Sequence, residues 1–115
     1  MSELARVEAA DYDGARLIRI AGEIDLSNAR HVLSLIAAEV PHDVSRVVVD
    51  LGALTFLDSS GIAMLFRLAE RLGYSRQELR LVVPAATPIR TVLELTSVGQ
   101  VIPVHELLDE VPDEH

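Results

Sequence analysis

Hydrophobic and polar residues alternate with two different periods along this chain, and each change of period predicts a new element. From Leu4 to Gly22 the pattern predicts two short strands, with Leu4, Arg6, Val7 and Ala9 before the turn Asp11-Tyr12-Asp13-Gly14 and Leu17, Ile18 and Ile20 after it. Ser27 or Asn28 caps a helix whose apolar face is Ala29, Val32, Leu33, Ile36, Ala37 and Val40, and Pro41 ends it. The β-branched run Val47-Val48-Val49-Asp50-Leu51 reads as a central strand covered on both faces, followed by a loop from Gly52 to Leu57. Asp58 or Ser59 caps a second helix, with Ile62, Leu65, Phe66, Ala69 and Leu72 inward, Arg67, Glu70 and Arg71 facing water, and Gly73 just past its end. Leu79, Leu81, Val82 and Val83 form a further strand. Thr87 caps a third helix, with Pro88 in its first position and Ile89, Val92, Leu93 and Thr96 inward. Gly99 breaks that helix, Val101 to Val104 forms an edge strand carrying Pro103, and Glu106 to Val111 forms a short last helix. The tail from Pro112 to His115 is expected to fray.

An initial hairpin followed by strands alternating with helices makes the class α/β: βα units with right-handed crossovers, building a mostly parallel open sheet with about four helices. With 115 residues and no repeat or linker-like stretch, the chain is expected to be a single domain over residues 1–115, with an ordered core over about 4–111. A hydrophobic content of 50% with 24% charged residues excludes disorder over most of the length. The basic residues are ten Arg and no Lys against eighteen Asp plus Glu, and the net charge of −8 repels phosphate backbones, so no nucleic-acid partner is expected. Two Phe, two Tyr and no Trp leave few platforms for stacked bases. Without cysteine there are no disulfides or thiolate chemistry. The start lacks a basic opening and an apolar block, and no run has the length of a bilayer span. A cytoplasmic location without a membrane partner is the expectation.

Function in an open α/β sheet gathers at the carboxyl ends of the strands. Two segments fall there, Gly22-Glu23-Ile24-Asp25-Leu26-Ser27-Asn28 and Thr55-Phe56-Leu57-Asp58-Ser59-Ser60-Gly61, and both mix carboxylates with hydroxyls. Ser59 reads either as a helix cap or as a phosphorylation site, because a helix amino terminus tolerates added negative charge. Phe56 and Leu57 either reach into the core or offer a loop surface to a partner. Asp25 is either a cap or a contact residue. A serine hydrolase with Ser59 as nucleophile and Asp25 or Asp58 as helper is the enzymatic alternative. The string is not a G-x-S-x-G elbow, however, and His31, His42, His105 and His115 have no spacing that supplies a base. The same histidines do not form a zinc motif and the scattered glycines do not form a phosphate loop, so no metal and no cofactor is expected.

Taken together, Gly22-Glu23-Ile24-Asp25-Leu26-Ser27-Asn28, then Val47-Val48-Val49-Asp50-Leu51 leading into Leu54-Thr55-Phe56-Leu57-Asp58-Ser59-Ser60-Gly61, and later Val92-Leu93-Glu94-Leu95-Thr96, resemble the STAS-domain anti-sigma factor antagonists of bacteria. The resemblance covers nearly the whole chain. It implies a non-enzymatic switch that binds an anti-sigma factor, itself a serine kinase of the histidine-kinase-like ATPase fold, and so frees a sigma factor. It also implies phosphorylation at Ser59, reset by a serine phosphatase. In its terms Asp25 lies beside that site and contacts the kinase, Asp58 shapes the loop, and Ser60 with Gly61 opens the helix. The partner-binding set is then Asp25, Ser27, Asn28, Phe56, Leu57, Asp58, Ser60 and Gly61. Gly73-Tyr74-Ser75-Arg76-Gln77-Glu78 departs from the family's shorter, Gly-rich turn. STAS domains also serve as scaffolds in stress-sensing assemblies and as accessory subunits of lipid transporters, and a constitutive role of that kind is the alternative within the family.

Overall fold

The computed structural model describes residues 4–112, so the tail beyond Pro112 lies outside the described residues. The expected hairpin is present, with β1 (Ala5–Tyr12) antiparallel to β2 (Ala15–Ile24). Its turn is the pair Asp13 and Gly14, with φ of 48° and 84°, the doubly positive backbone that a two-residue hairpin loop requires. Three further strands run parallel to β2: β3 (Arg46–Leu57), β4 (Glu78–Val82) and β5 (Val104–His105), in the sheet order β1-β2-β3-β4-β5. The helices are α1 (Ala29–Ala38), α2 (Ser59–Tyr74) and α3 (Pro88–Leu95). The class is therefore α/β with a mixed five-stranded sheet and three α-helices among the described residues.

The largest departure from expectation is β3, which continues through the segment read as a loop. Arg19 pairs with Asp50 while Ala21 pairs with Ala53, and Gly22 pairs with Leu54 while Glu23 pairs with Phe56, so β3 carries an extra residue at each of two bulges. Each bulge shifts the inward positions by one. Leu51, Leu54 and Leu57 are buried with two exposed residues between each pair, a spacing that does not resemble a strand in the sequence.

The ends of the helices also differ. α2 runs through Gly73 to Tyr74, and the left-handed residue that breaks the chain is Arg76, at φ 58°. α3 is capped by Thr87 with Pro88 inside, as expected, but it stops at Leu95 rather than Gly99. There the Thr96 hydroxyl donates to the carbonyl oxygen of Val92 at 2.8 Å and Ser97 turns to φ 57°. The edge strand shrinks to two residues after Pro103, which has no N–H to offer the ladder. The last helix is a single 3-10 turn, Leu108–Glu110, because Glu110 Oε1 accepts the N–H groups of Glu106 and Leu107 at 2.8 and 3.1 Å and closes the segment on itself.

One apolar cluster joins Ile18, Ile20 and Ile24 of β2, Val47, Val49 and Leu51 of β3 and Leu79 and Leu81 of β4 to the inner faces of all three helices. Met64 and Leu68 of α2 belong to it although the sequence pattern did not single them out. Alternate residues Leu17, Val48 and Val82 form a smaller cluster with Ala15 and Val111, so the C-terminal segment covers the second face. The central strand is thus covered on both sides, and Val47, Val48 and Val49 have no exposed surface. Beside that cluster runs a polar row. Glu78 accepts from Arg46 and Arg80, Arg80 reaches His105 at 3.0 Å, and Arg46 also donates to the carbonyl of Pro112. Gln77, in the segment that departs from the family pattern, is buried. Its amide donates to the carbonyls of Pro41 and Val44, both at 2.8 Å, which locks the α1–β3 connection to the end of α2.

Candidate functional site

β2 and β3 are parallel neighbours that end in register, Ile24 opposite Leu57, so the residues that follow them, Asp25 and Asp58, emerge side by side. The N–H of Asp58 donates to the carbonyl of Ile24 at 3.3 Å and ties the two exits together. The first turn of α2 presses onto this junction: a Cβ on Gly61 would lie 2.2 Å from Leu57 Cδ1 and 3.2 Å from Ile24 Cγ2. Leu57 and Gly61, expected among the contacting residues, are both buried, and their role here is to seat the site from below. Phe56 points the other way and is 46% exposed. Beside it, the Thr55 hydroxyl donates to the carbonyl of Gly22 at 3.0 Å.

The loop after β2 is held by its own side chains. Asp25 Oδ1 accepts both the N–H and the hydroxyl of Ser27, at 2.8 and 2.5 Å. Asn28 turns back, accepting from the N–H of Asp25 at 2.9 Å and donating to the carbonyl of Glu23 at 2.8 Å. Neither Ser27 nor Asn28 therefore caps α1, which has no side-chain cap; Asn28 satisfies the loop instead. The Ser27 hydroxyl, and after it the Ser27 N–H, holds the Asp25 carboxyl below the ordinary aspartate range, against a smaller opposing effect of desolvation. Asp25 is an ionised loop residue here rather than a cap. Leu26, between these anchors, is 83% exposed.

At the start of α2 the capping group is Asp58, whose Oδ1 accepts from the N–H groups of Ser60 and Gly61 at 2.8 and 3.2 Å. Only one oxygen of Asp58 is used, as with Asp25. Ser59, the first residue of the helix, is exposed, and its hydroxyl has no hydrogen-bond partner among the described residues. Of the expected set, Asp25, Ser27, Asn28, Phe56, Asp58, Ser59 and Ser60 thus surround the junction of two strand ends. A groove of about 250 Å³ adjoins them between α1 and α2, lined by Leu26, Ala29 and Arg30 on one side and Ser60, Ala63, Met64 and Arg67 on the other. Leu26, Arg30 and Arg67 are groove residues that the sequence pattern did not single out; the available signal is spacing, since Arg30 lies four residues after Leu26 and three before Leu33, and Arg67 lies four after Ala63 and three after Met64. Among the described residues no cluster of three or more His, Cys, Asp or Glu could hold a metal ion, and no helix is long and apolar enough to cross a membrane.

The STAS domain family model matches residues 6–111, and the chain belongs to that family. Over 69 residues it is 36% identical to the anti-sigma-F factor antagonist RsfB of Mycobacterium tuberculosis, a match covering 60% of this chain and 57% of RsfB. It is also similar to a crystal structure of an anti-sigma factor antagonist from Mycobacterium paratuberculosis, at 28% identity and a TM-score of 0.80, over 92% of this chain and 89% of that one. The anti-sigma factor antagonist SpoIIAA in its unphosphorylated form shares the fold, with a TM-score of 0.67 at 19% identity over 91% of both chains.

Proposed function

We propose that this chain is a cytoplasmic anti-sigma factor antagonist whose single STAS unit binds an anti-sigma factor serine kinase, and that phosphate on Ser59 turns the binding off until a serine phosphatase removes it. The observation that carries the reading is the division of labour at the start of α2. Asp58 caps the helix, and Ser59 stands exposed with its hydroxyl unengaged. A kinase can reach that hydroxyl without dismantling the cap. The antagonist names of RsfB and of the mycobacterial structure point to the same role.

The two effects of a phosphate separate physically. Within the fold, its charge of about −1.5 to −2 meets the positive end of α2, which favours it by about 0.3–1 kcal/mol. Across an interface it must be desolvated beside Phe56 and near the carboxylates of Asp25 and Asp58, and an unpaired buried charge costs several kcal/mol. A loss of ~4 kcal/mol weakens affinity about a thousandfold.

The test incubates wild type, Ser59→Ala and Ser60→Ala with a candidate anti-sigma factor kinase and ATP, maps phosphate by mass spectrometry, and measures binding by titration calorimetry beside melting curves. One phosphate is expected on wild type and on Ser60→Ala and none on Ser59→Ala, with weakened binding and an intact fold. Equal labelling of Ser59→Ala, or undiminished binding by the phosphorylated chain, overturns the switch; undiminished binding would leave a constitutive STAS scaffold.

A further inference from the structure

The outer edge of β1 is a pairing surface of a kind that folded proteins commonly blunt with a proline, a bulge or a very short strand. β1 has no proline, no bulge and eight residues of length, and the one device of this kind it carries is charge, at Arg6, Glu8 and Asp11. It pairs with β2 without interruption from Ala5 opposite Gly22 to Tyr12 opposite Ala15, and no strand among the described residues pairs with its other side. The two-residue turn makes Tyr12 and Ala15 a hydrogen-bonded pair, so the even-numbered residues of β1 direct their backbone groups to β2. The bond from Glu23 N–H to the carbonyl of Leu4, at 2.8 Å, continues that series. The N–H and C=O groups of Ala5, Val7 and Ala9 therefore face the open edge.

We propose that this edge pairs antiparallel with the same edge of a second copy, with Val7 opposite Val7. Charge selects the register. Arg6 and Glu8 are exposed on the same face of β1, and neither joins an ion pair among the described residues. Arg19, directly across from Glu8 on β2, instead turns to Asp50 at 3.4 Å. Pairing through the outward groups of Ala5, Val7 and Ala9 permits registers two residues apart. The register centred on Val7 sets Arg6 against Glu8 of the other copy and Glu8 against Arg6, with Ala5 against Ala9. The neighbouring registers place Arg6 against Arg6 or Glu8 against Glu8, and like charges directly opposite are destabilising.

An apolar contribution comes from α1. Arg16 binds both Asp11 of β1 and Glu39 just past α1, so that flank of the helix faces the hairpin. Leu35, one turn earlier, is 37% exposed on it. A two-fold axis normal to the sheet puts both α1 helices on one side, with the two Leu35 side chains flanking the same seam.

The full chain is examined by sedimentation equilibrium over a range of concentrations, as wild type, Arg6→Glu, Glu8→Arg and the double exchange, with circular dichroism checking each fold. Wild type is expected to dimerise reversibly, each single reversal to weaken the dimer about tenfold, and the double exchange to restore it. The absence of native cysteine permits a register check. Val7→Cys is expected to cross-link two copies under mild oxidation, whereas Ala10→Cys, whose copies this register separates by roughly 20 Å, is not. A wild type that stays monomeric at all concentrations, a double exchange that stays dissociated, or equal cross-linking by both cysteine variants overturns the proposal.

Discussion

Replacing Asp58 isolates the cap from the charge, because its carboxylate does two separable things at the start of α2. It accepts the N–H groups of Ser60 and Gly61, and it places a negative charge at the positive end of a sixteen-residue helix. Loss of such a cap costs about 1 kcal/mol. Loss of the charge costs about 0.3–1 kcal/mol more. Asp58→Ala removes both, and about 1–2 kcal/mol corresponds to a fall in Tm of about 4–8 °C for a domain of this size. Asp58→Asn keeps an acceptor oxygen and gives up only the charge, so its loss should be about 0.3–1 kcal/mol. Ser59→Ala should change stability by less than about 0.5 kcal/mol, since the hydroxyl caps nothing and alanine is the better helix former. Urea unfolding followed by circular dichroism, with thermal melts beside it, measures all three. If Ser59→Ala falls as far as Asp58→Ala, serine is the cap. If Asp58→Asn falls as far as Asp58→Ala, the hydrogen bonds contribute nothing. Either result removes the division of labour on which the proposed function rests.

Gly61→Ala should lose about 1–3 kcal/mol of stability by overpacking against Leu57 and Ile24, and an unchanged urea midpoint would show that the first turn of α2 is free to lift away. The stability of the wild type should fall on acidification below the ordinary histidine pKa of about 6.5, in part through His105. Desolvation first, and the nearby Arg80 guanidinium second, hold His105 below its ordinary value, so the folded state favours the neutral ring. A depressed histidine contributes stability that is complete above the unfolded-state pKa and lost as the pH falls toward the folded one. Urea midpoints at pH 7.5 and 5.5 should therefore differ less in His105→Gln than in wild type, and equal differences would refute the assignment.

Elements with regular periods were legible in the sequence, and those governed by distant partners were not. The hairpin turn, the inward faces of α1 and α2 and the Thr87-Pro88 start of α3 follow from local patterns, and each is present. The second half of β3 was hidden because its bulges exist only in relation to β2, and they turn an alternation of two into a repeat of three. Asn28 resembled a cap because the residue type is right; what redirects it is the pair of backbone groups at Glu23 and Asp25. In the site, the choice between Asp58 and Ser59 as cap was open in the sequence, since both residue types cap well. The inward direction of Leu57 and the outward direction of Phe56 were also open, because they depend on the second bulge.

Asp25 and Asp58 each receive two short local hydrogen bonds on a single carboxylate oxygen, from Ser27 in the one case and from Ser60 and Gly61 in the other. Both carboxylates are thus oriented before any encounter. A free surface aspartate must give up rotamer freedom when it accepts a bond from a docking molecule, at about 0.5–1.5 kcal/mol for a side chain with several torsions and less for one this short. Here the fold has already removed that freedom twice. In the complex proposed above, two acceptors fixed at adjacent strand ends would present a rigid template to a pair of donors, such as an arginine fork or successive N–H groups. Their alignment would then discriminate between partners by the spacing of those donors more sharply than two mobile carboxylates of the same charge.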